Sequence, residues 1–529
     1  MKRPFERKAQ LAALRSLEFD VLVVGGGATG LGIAVDAASR GYRTALVEAH
    51  DFAKGTSSRS TKLVHGGVRY LEQLHFSLVR EALEERAILC ENAPHLVHDL
   101  PFVVPRYRWW EGPFYGAGLK LYDALAGSRG FGRSRFLDRE ETIRAIPGVR
   151  EDGLLGGIEY RDGQFDDARM ALALARTAAS HGAAIANRLR CTGLVKSDGR
   201  VVGIEACDGE RDGEPGVRFP IRAAVVVNAT GVFADGVRRL DEPGSPGRLE
   251  PSRGVHLVLP RRFLPGGHAI MVPHTDDGRV LFVIPWHGRT LVGTTDVEVK
   301  DPEIEPRASE EEIGFVLRNA GRYLASEPTR GDVLSVFAGL RPLVRPAGAT
   351  ESRQVSREHA IEVSGSGLVT ITGGKWTTYR RMAEEAVEVA CETGGLEVRA
   401  GRTAELRLHG YDPTSAAGSG MPGLRALYGT DRAAIEEIER SDPRLAGPIH
   451  PELPITGSEL VFAARAEMAR SVEDLLARRT RALLLDARAA IAVADEVARL
   501  VAPELGWSAG DAVASAEEFR AIARGYLPE

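Results

Sequence analysis

The sequence predicts an α/β protein in three parts: a parallel βαβ nucleotide-binding core, an antiparallel β subdomain over it, and an all-α C-terminal region. Three observations carry that expectation. The apolar run FDVLVV at 19–24 enters GGGATG and then a helical stretch. Between about 245 and 340 short apolar runs alternate with turn residues. Beyond 400 the chain becomes rich in Ala, Leu and Arg. At 529 residues it exceeds what one core holds, so several domains are expected.

The strand at 19–24, its glycine turn, the helix LGIAVDAASRG and the strand YRTALVEAHDF make one βαβ unit in about 30 residues. A similar apolar strand recurs at IRAAVVVNATG, 221–231. Between them, DGQFDDARMALALARTAASHG reads as a helix with Asp166 and Asp167 at its start and Gly182 at its end. The following stretch alternates like β-structure around an Asp-Gly turn at 198–199. GVHLVLP, HAIMVP and RVLFVIPWHGRTLVGTT are antiparallel strands, and LVTITGGKWTTYRRMAEEAVEVACETGG returns to strand–glycine–helix form. YDPTSAAGSGMPG marks a boundary before the helical tail.

A net charge of −5 gives no sign of a nucleic-acid binder. Cys90, Cys191, Cys207 and Cys391 lie far apart without metal spacing, so no metal site and no disulfide framework is expected. No run reaches the roughly 18 apolar residues of a membrane span.

Gly25-x-Gly27-x-x-Gly30 supplies a tight turn, close backbone approach to a pyrophosphate and helix–strand packing, with phosphates at the helix N-terminus beside Ala28 and Thr29. Glu48, ending the next strand, is expected to accept the ribose hydroxyls. The later strand ending at Gly231, and the Gly373-Gly374 turn before another helix, are apparatus that a flavin uses and a nicotinamide does not, so FAD is the expected cofactor.

The segments DVLVVGGGATGLGIAVDAASRG, TSSRSTKLVHGGVRYLE, ALEERAILCENAPHLV, FDDARMALALA, VNATG, VIPWHGRTLVGTTDVE, FAGLRPL and GGKWTTYR, in this order from residue 20 to about 380, resemble the FAD-dependent glycerol-3-phosphate dehydrogenases. The resemblance implies a glutathione-reductase-like FAD-binding Rossmann domain at 19–105, 155–240 and 340–398. It also implies a substrate cap at 106–154 and 241–339, a C-terminal helical domain at 399–529, and a basic N-terminal extension at 1–18. It further implies oxidation of sn-glycerol 3-phosphate to dihydroxyacetone phosphate with electrons passed to membrane quinone. The enzyme would then be cytoplasmic and peripheral on the inner face of the membrane, and a homodimer is possible by the same analogy. A related oxidase that delivers electrons to O₂ carries an insertion that is missing here, and an amine or amino-acid oxidase would not need several phosphate-binding cations. A flavin-binding scaffold, the non-enzymatic alternative, would not need the candidate residues intact.

The residues this chemistry needs are few. The resemblance implies that His256 is the base for the C2 hydroxyl. It likewise places Arg69, Tyr70, His256, Arg341, Arg357 and Lys375 against the substrate, with Arg341 and Lys375 also catalytic. Around FAD the expectation adds Thr56, Ser57, Ser58, Lys62, His65, Gly66, Gly374, Lys375, Thr377 and Thr378 to the glycine fingerprint. The segment 105–125, with Trp109, Trp110, Phe114 and Tyr115 among basic residues, is an expected membrane-interface stretch, and the basic N-terminus is a weaker one.

Overall fold

The computed structural model describes residues 5–68, 75–209, 216–344, 359–416 and 423–528. The first sheet runs His359–Val363, Val369–Gly373, Val217–Asn228, Phe19–Val24, Thr44–Val47, Ala184–Ala186. Along this order every pairing is parallel except the first, and two further strands, Arg200–Asp208 beside Val217–Asn228 and Leu189–Ser197 beside Arg200–Asp208, pair antiparallel. Val21, Leu22 and Val23 are fully buried because helices cover the sheet, which is why its strands read as continuous apolar runs. The helices Ala28–Ser39 and Tyr379–Gly394 cross at Gly32, where a Cβ would meet the Tyr379 ring at 2.8 Å. At the expected Asp-Gly turn, Asp198 and Gly199 both have positive φ, the backbone of a two-residue hairpin joining Leu189–Ser197 to Arg200–Asp208.

The second sheet has ten strands, in the order Val297–Glu298, Leu249–Pro260, Arg289–Gly293, Leu281–Trp286, Ala269–Val272, Val97–Arg106, Gly156–Phe165, Leu63–Val64, with Ser335–Val344 beside Leu249–Pro260 and Arg135–Leu137 beside Gly156–Phe165. Gly156–Phe165 and most of Val97–Arg106, expected in the nucleotide domain, pair along their whole length with each other, and Val97–Arg106 joins Ala269–Val272, a strand expected in the cap. Asp162–Phe165, read as the start of a helix, ends that strand, and the helix begins at Asp167 with the Asp166 side chain accepting from Arg169 N.

Among its described residues the C-terminal region has helices and one small hairpin, Pro448–His450 with Leu453–Thr456. Its apolar residues, among them Leu475, Leu476, Leu483 and Phe519, share one core with Leu100, Phe102, Trp286 and Phe337 of the ten-stranded sheet. The stretch expected as strongly helical is broken into short helices, with Met468 and Arg481 in the left-handed region. The breaks let Arg478, Arg479 and Arg481 reach buried carboxylates of the first domain. Helix Arg7–Ser16 docks by burying Leu11 and Leu14, with Arg7 Nε donating to Asn187 O and Nη2 to Asp208.

Candidate functional site

The glycine turn follows the first strand. Gly25 has φ +114, and a Cβ there would lie 2.6 Å from Ala229 O; a Cβ on Gly30 would run into Gly25 O. Helix Ala28–Ser39 starts at Gly27 without a side-chain cap from that residue, and Ala28 N donates to Ser57 Oγ at 2.9 Å. This is an anion-ready helix N-terminus with a hydroxyl beside it. Gly231 opens a turn with nothing near its absent Cβ, and Gly373 and Gly374 both have positive φ before helix Tyr379–Gly394. These cradles fit FAD: Gly25, Gly27, Ala28, Thr29, Gly30 and Ser57 would hold its pyrophosphate.

Glu48 does more local work than expected. Its Oε2 accepts from Gly26 N at 2.6 Å and its Oε1 from His50 N at 2.7 Å, so it braces the glycine turn, while lone pairs remain for a ribose. Thr56 Oγ1 donates to Leu340 O of the second sheet. Trp376 Nε1 donates to Ser57 O, and His65 N donates to Thr377 Oγ1, so the Thr56–Ser58 and Trp376–Thr378 turns are tied together. Thr378 Oγ1 bonds back to Lys375 O, and Lys375 N-caps that turn with extended backbone.

Gly66 is glycine for want of room. A Cβ would meet Tyr122 Oη at 2.5 Å, while Gly66 N donates to that oxygen, which donates on to Asp162, itself paired with Arg86. Gly67 has φ +77. Arg69, Tyr70 and Arg357 lie outside the described residues.

Lys62, expected at the cofactor, is turned inward. It is fully buried with φ +64, and its Nζ donates to Asp167 (2.7 Å) and Ser58 O (2.8 Å) beside the Trp286 and Phe337 rings. Ser58 thus offers its carbonyl to Lys62 and to Arg481. Burial pushes the Lys62 ammonium down to about 8 against the pull of Asp167.

The substrate candidates sit on neighbouring strands. Antiparallel register sets Ser252 opposite Arg341, Gly254 opposite Gly339 and His256 opposite Phe337, so His256 and Arg341 share a face with two glycines between them. The guanidinium leans over Gly254, where a Cβ would lie 2.5 Å from its Nη2. Arg341 donates to Asp296 at 3.1 Å, to Thr294 Oγ1 and to Thr295 O, with about a quarter of its side chain accessible. His256 is 2% exposed and stacked on Phe337 at 4.9 Å. Burial, then Lys62 and Arg341, hold its pKa well below the usual 6.5, so the ring is neutral.

Sequence reasoning missed the support beneath this face. Thr61 hydrogen-bonds His256, Asp167 bridges Lys62 and Arg481, and buried His287 pairs with Asp166. The adjacent acids Asp166 and Asp167 were visible as a helix start; burial, which gives them their partners, has no local signature.

With this geometry in view, comparison with known proteins is decisive. A family model described as FAD dependent oxidoreductase matches residues 20–380, and one described as the C-terminal domain of alpha-glycerophosphate oxidase matches 369–512. Mitochondrial glycerol-3-phosphate dehydrogenase of Mesocricetus auratus is 41% identical over 96% of this chain and 73% of its own length. The chain belongs to the FAD-dependent glycerol-3-phosphate dehydrogenase family. The family's human mitochondrial member is 40% identical, again over 96% of this chain and 73% of its own length. The solved glycerol-3-phosphate dehydrogenase from Bacillus halodurans, complexed with FAD, is 29% identical with a TM-score of 0.80, covering 100% of this chain and 99% of that one. FAD is the cofactor of this chain, and its fold is that of the family's FAD-dependent oxidoreductases with a helical C-terminal domain.

Proposed function

We propose that this chain oxidises sn-glycerol 3-phosphate to dihydroxyacetone phosphate and passes the electrons to a membrane quinone. When bound, FAD supplies the hydride acceptor. His256 takes the proton of the C2 hydroxyl, and Arg341, fixed in its plane by Asp296 and Thr295, pairs with the phosphate. The observation that carries this reading is the register of the two strands: a buried neutral imidazole and a guanidinium on one face, with glycines leaving space between them. Lys375, Arg69, Tyr70 and Arg357 complete the proposed substrate shell on the strength of the family resemblance.

Anaerobic addition of glycerol 3-phosphate should bleach the flavin, and glycerol should not. Arg341→Ala should raise KM at least tenfold while the enzyme keeps its flavin. An unchanged KM would remove Arg341 from the phosphate site. Stoichiometric hydrogen peroxide under air would favour an O₂-using oxidase over the quinone reading.

No helix among the described residues is long and apolar enough to cross a membrane. Peripheral attachment is supported by the outer face of helix Glu111–Ala126 and its flanks. Trp109 is 80% exposed, Phe114 53%, and Leu121 and Phe136 also face outward, with Lys120 and Arg108 among them. An apolar ridge with basic flanks suits the headgroup boundary. Phe114→Ser with Leu121→Ser should abolish co-sedimentation with anionic vesicles; retained binding would move the contact elsewhere.

A further inference from the structure

The His256 ring is held on three sides. Phe337 stacks on it, Gly293 packs so close that a Cβ there would collide with the ring, and Nε2 lies 2.9 Å from Thr61 Oγ1. Its Nδ1 is buried and meets no hydrogen-bond partner among the described residues. Thr61 is itself fixed from both sides. Ser60 N and Oγ donate to Asp167, Lys62 adopts a left-handed backbone whose carbonyl accepts from Phe165 N, and Lys62 Nζ returns to Asp167. Arg481, from the C-terminal region, closes the clamp on Asp167 and Ser58 O. The charged groups acting on the ring, Lys62 and Arg341, are both cationic and disfavour imidazolium before substrate arrives.

We propose that Thr61 is a positioning residue for the reaction: its Oγ1 accepts the Nε2–H of neutral His256, which leaves Nδ1 bare as the atom that takes the substrate's proton. This rests on the reading of His256 as the base. In the step, the C2 O–H bond breaks and an N–H bond forms at Nδ1. The electron pair left on oxygen becomes the carbonyl as the C2–H pair departs as hydride to the acceptor named above. Of the two tautomers, only this one presents an acceptor to an alcohol on the unpartnered side.

Thr61→Val keeps the shape and removes the acceptor; Thr61→Ser restores it. Expected is a loss in kcat of about 10- to 100-fold for Thr61→Val with KM within about threefold, and recovery of most of it in Thr61→Ser. In a His256→Gln background Thr61→Val should add no further loss, since both act through one ring. Ring-¹⁵N histidine NMR of the flavin-loaded wild type should show His256 protonated on Nε2, a readout independent of turnover and of how well any variant folds. The proposal is overturned by a His256 protonated on Nδ1, by Thr61→Val turnover within twofold of wild type, or by a full additional loss in the His256→Gln background. If His256→Gln itself keeps near-normal turnover, the base reading fails and the proposal falls with it. If only the Thr61 variants are silent, the base stands and the positioning role is withdrawn.

Discussion

Lys62 shows how one residue's role changes once its surroundings are known. A lysine three residues before an HGG turn suits a cofactor contact, but a fully buried ammonium must be paired or neutral, and Asp167 pairs it. Replacing it leaves Asp167 with Arg481 and Ser60 as partners, so the carboxylate is weakened in its pairing and not orphaned. Lys62→Met should therefore cost about 3 kcal/mol, the lower end for breaking a buried pair. Flavin content under native conditions should be unchanged, because the ammonium is committed to Asp167 and Ser58 O. Urea unfolding reads the first and flavin absorbance the second; lost flavin with unchanged stability would return Lys62 to the cofactor.

At the scale of elements, the glycines separate into those a fold needs and those it tolerates. Gly30→Ala drives a methyl into Gly25 O, a backbone atom that cannot yield; the expected result is protein purified without flavin, seen as loss of the visible absorbance. Gly118 sits inside helix Glu111–Ala126 with nothing within 4 Å of its absent Cβ, so Gly118→Ala should stabilise by about 0.5–1 kcal/mol, read as a higher unfolding midpoint. The elements themselves were largely legible. FDVLVV with its glycine turn gives the central strand and the pyrophosphate helix, and the Asp-Gly pair gives a hairpin, because each depends on residues close in sequence. What was not legible is pairing at a distance. Nothing in Val97–Arg106 says that its partner is Gly156–Phe165, some 50 residues on, and not the nucleotide sheet. His256 and Arg341 were identified by resemblance; their shared face follows from register, which no spacing in the sequence records. Thr61 is not among the residues the sequence singles out, and only the fold brings it to His256.

Over the whole molecule, buried charge binds the C-terminal region to the nucleotide domain. Arg478 and Arg479 meet Asp51, Arg478 also meets Glu473 and Asp474, and Arg481 meets Asp166 and Asp167, all with buried side chains. A chain ending at residue 398 would leave Asp51 and Asp166 without these arginines and bare the shared apolar core, and it should be insoluble rather than a working flavoprotein domain. The same burial makes the protein acid-sensitive. Burial pushes His95 down to about 4 and His98 to about 3, and holds His256 well below 6.5 and His287 below it as well. A histidine neutral when folded and charged when unfolded means that the unfolded chain binds more protons between the folded value and about 6.5. Stability is therefore full above 6.5 and falls as pH drops below it, by about 1.4 kcal/mol per pH unit for each histidine in that window. Asp51, Asp166 and Glu473 act lower down. Burial opposes their ionisation, but their arginine partners outweigh it and hold them below the usual carboxylate range, so their contribution is lost as pH passes down through about 4. The melting temperature should be level from pH 8 to 7, decline from about 6.5, and keep declining through 4. A level melting temperature down to pH 5 would mean that the buried histidines gain access to solvent or protons without unfolding, and that the core around His98 and His256 is more open than its packing indicates.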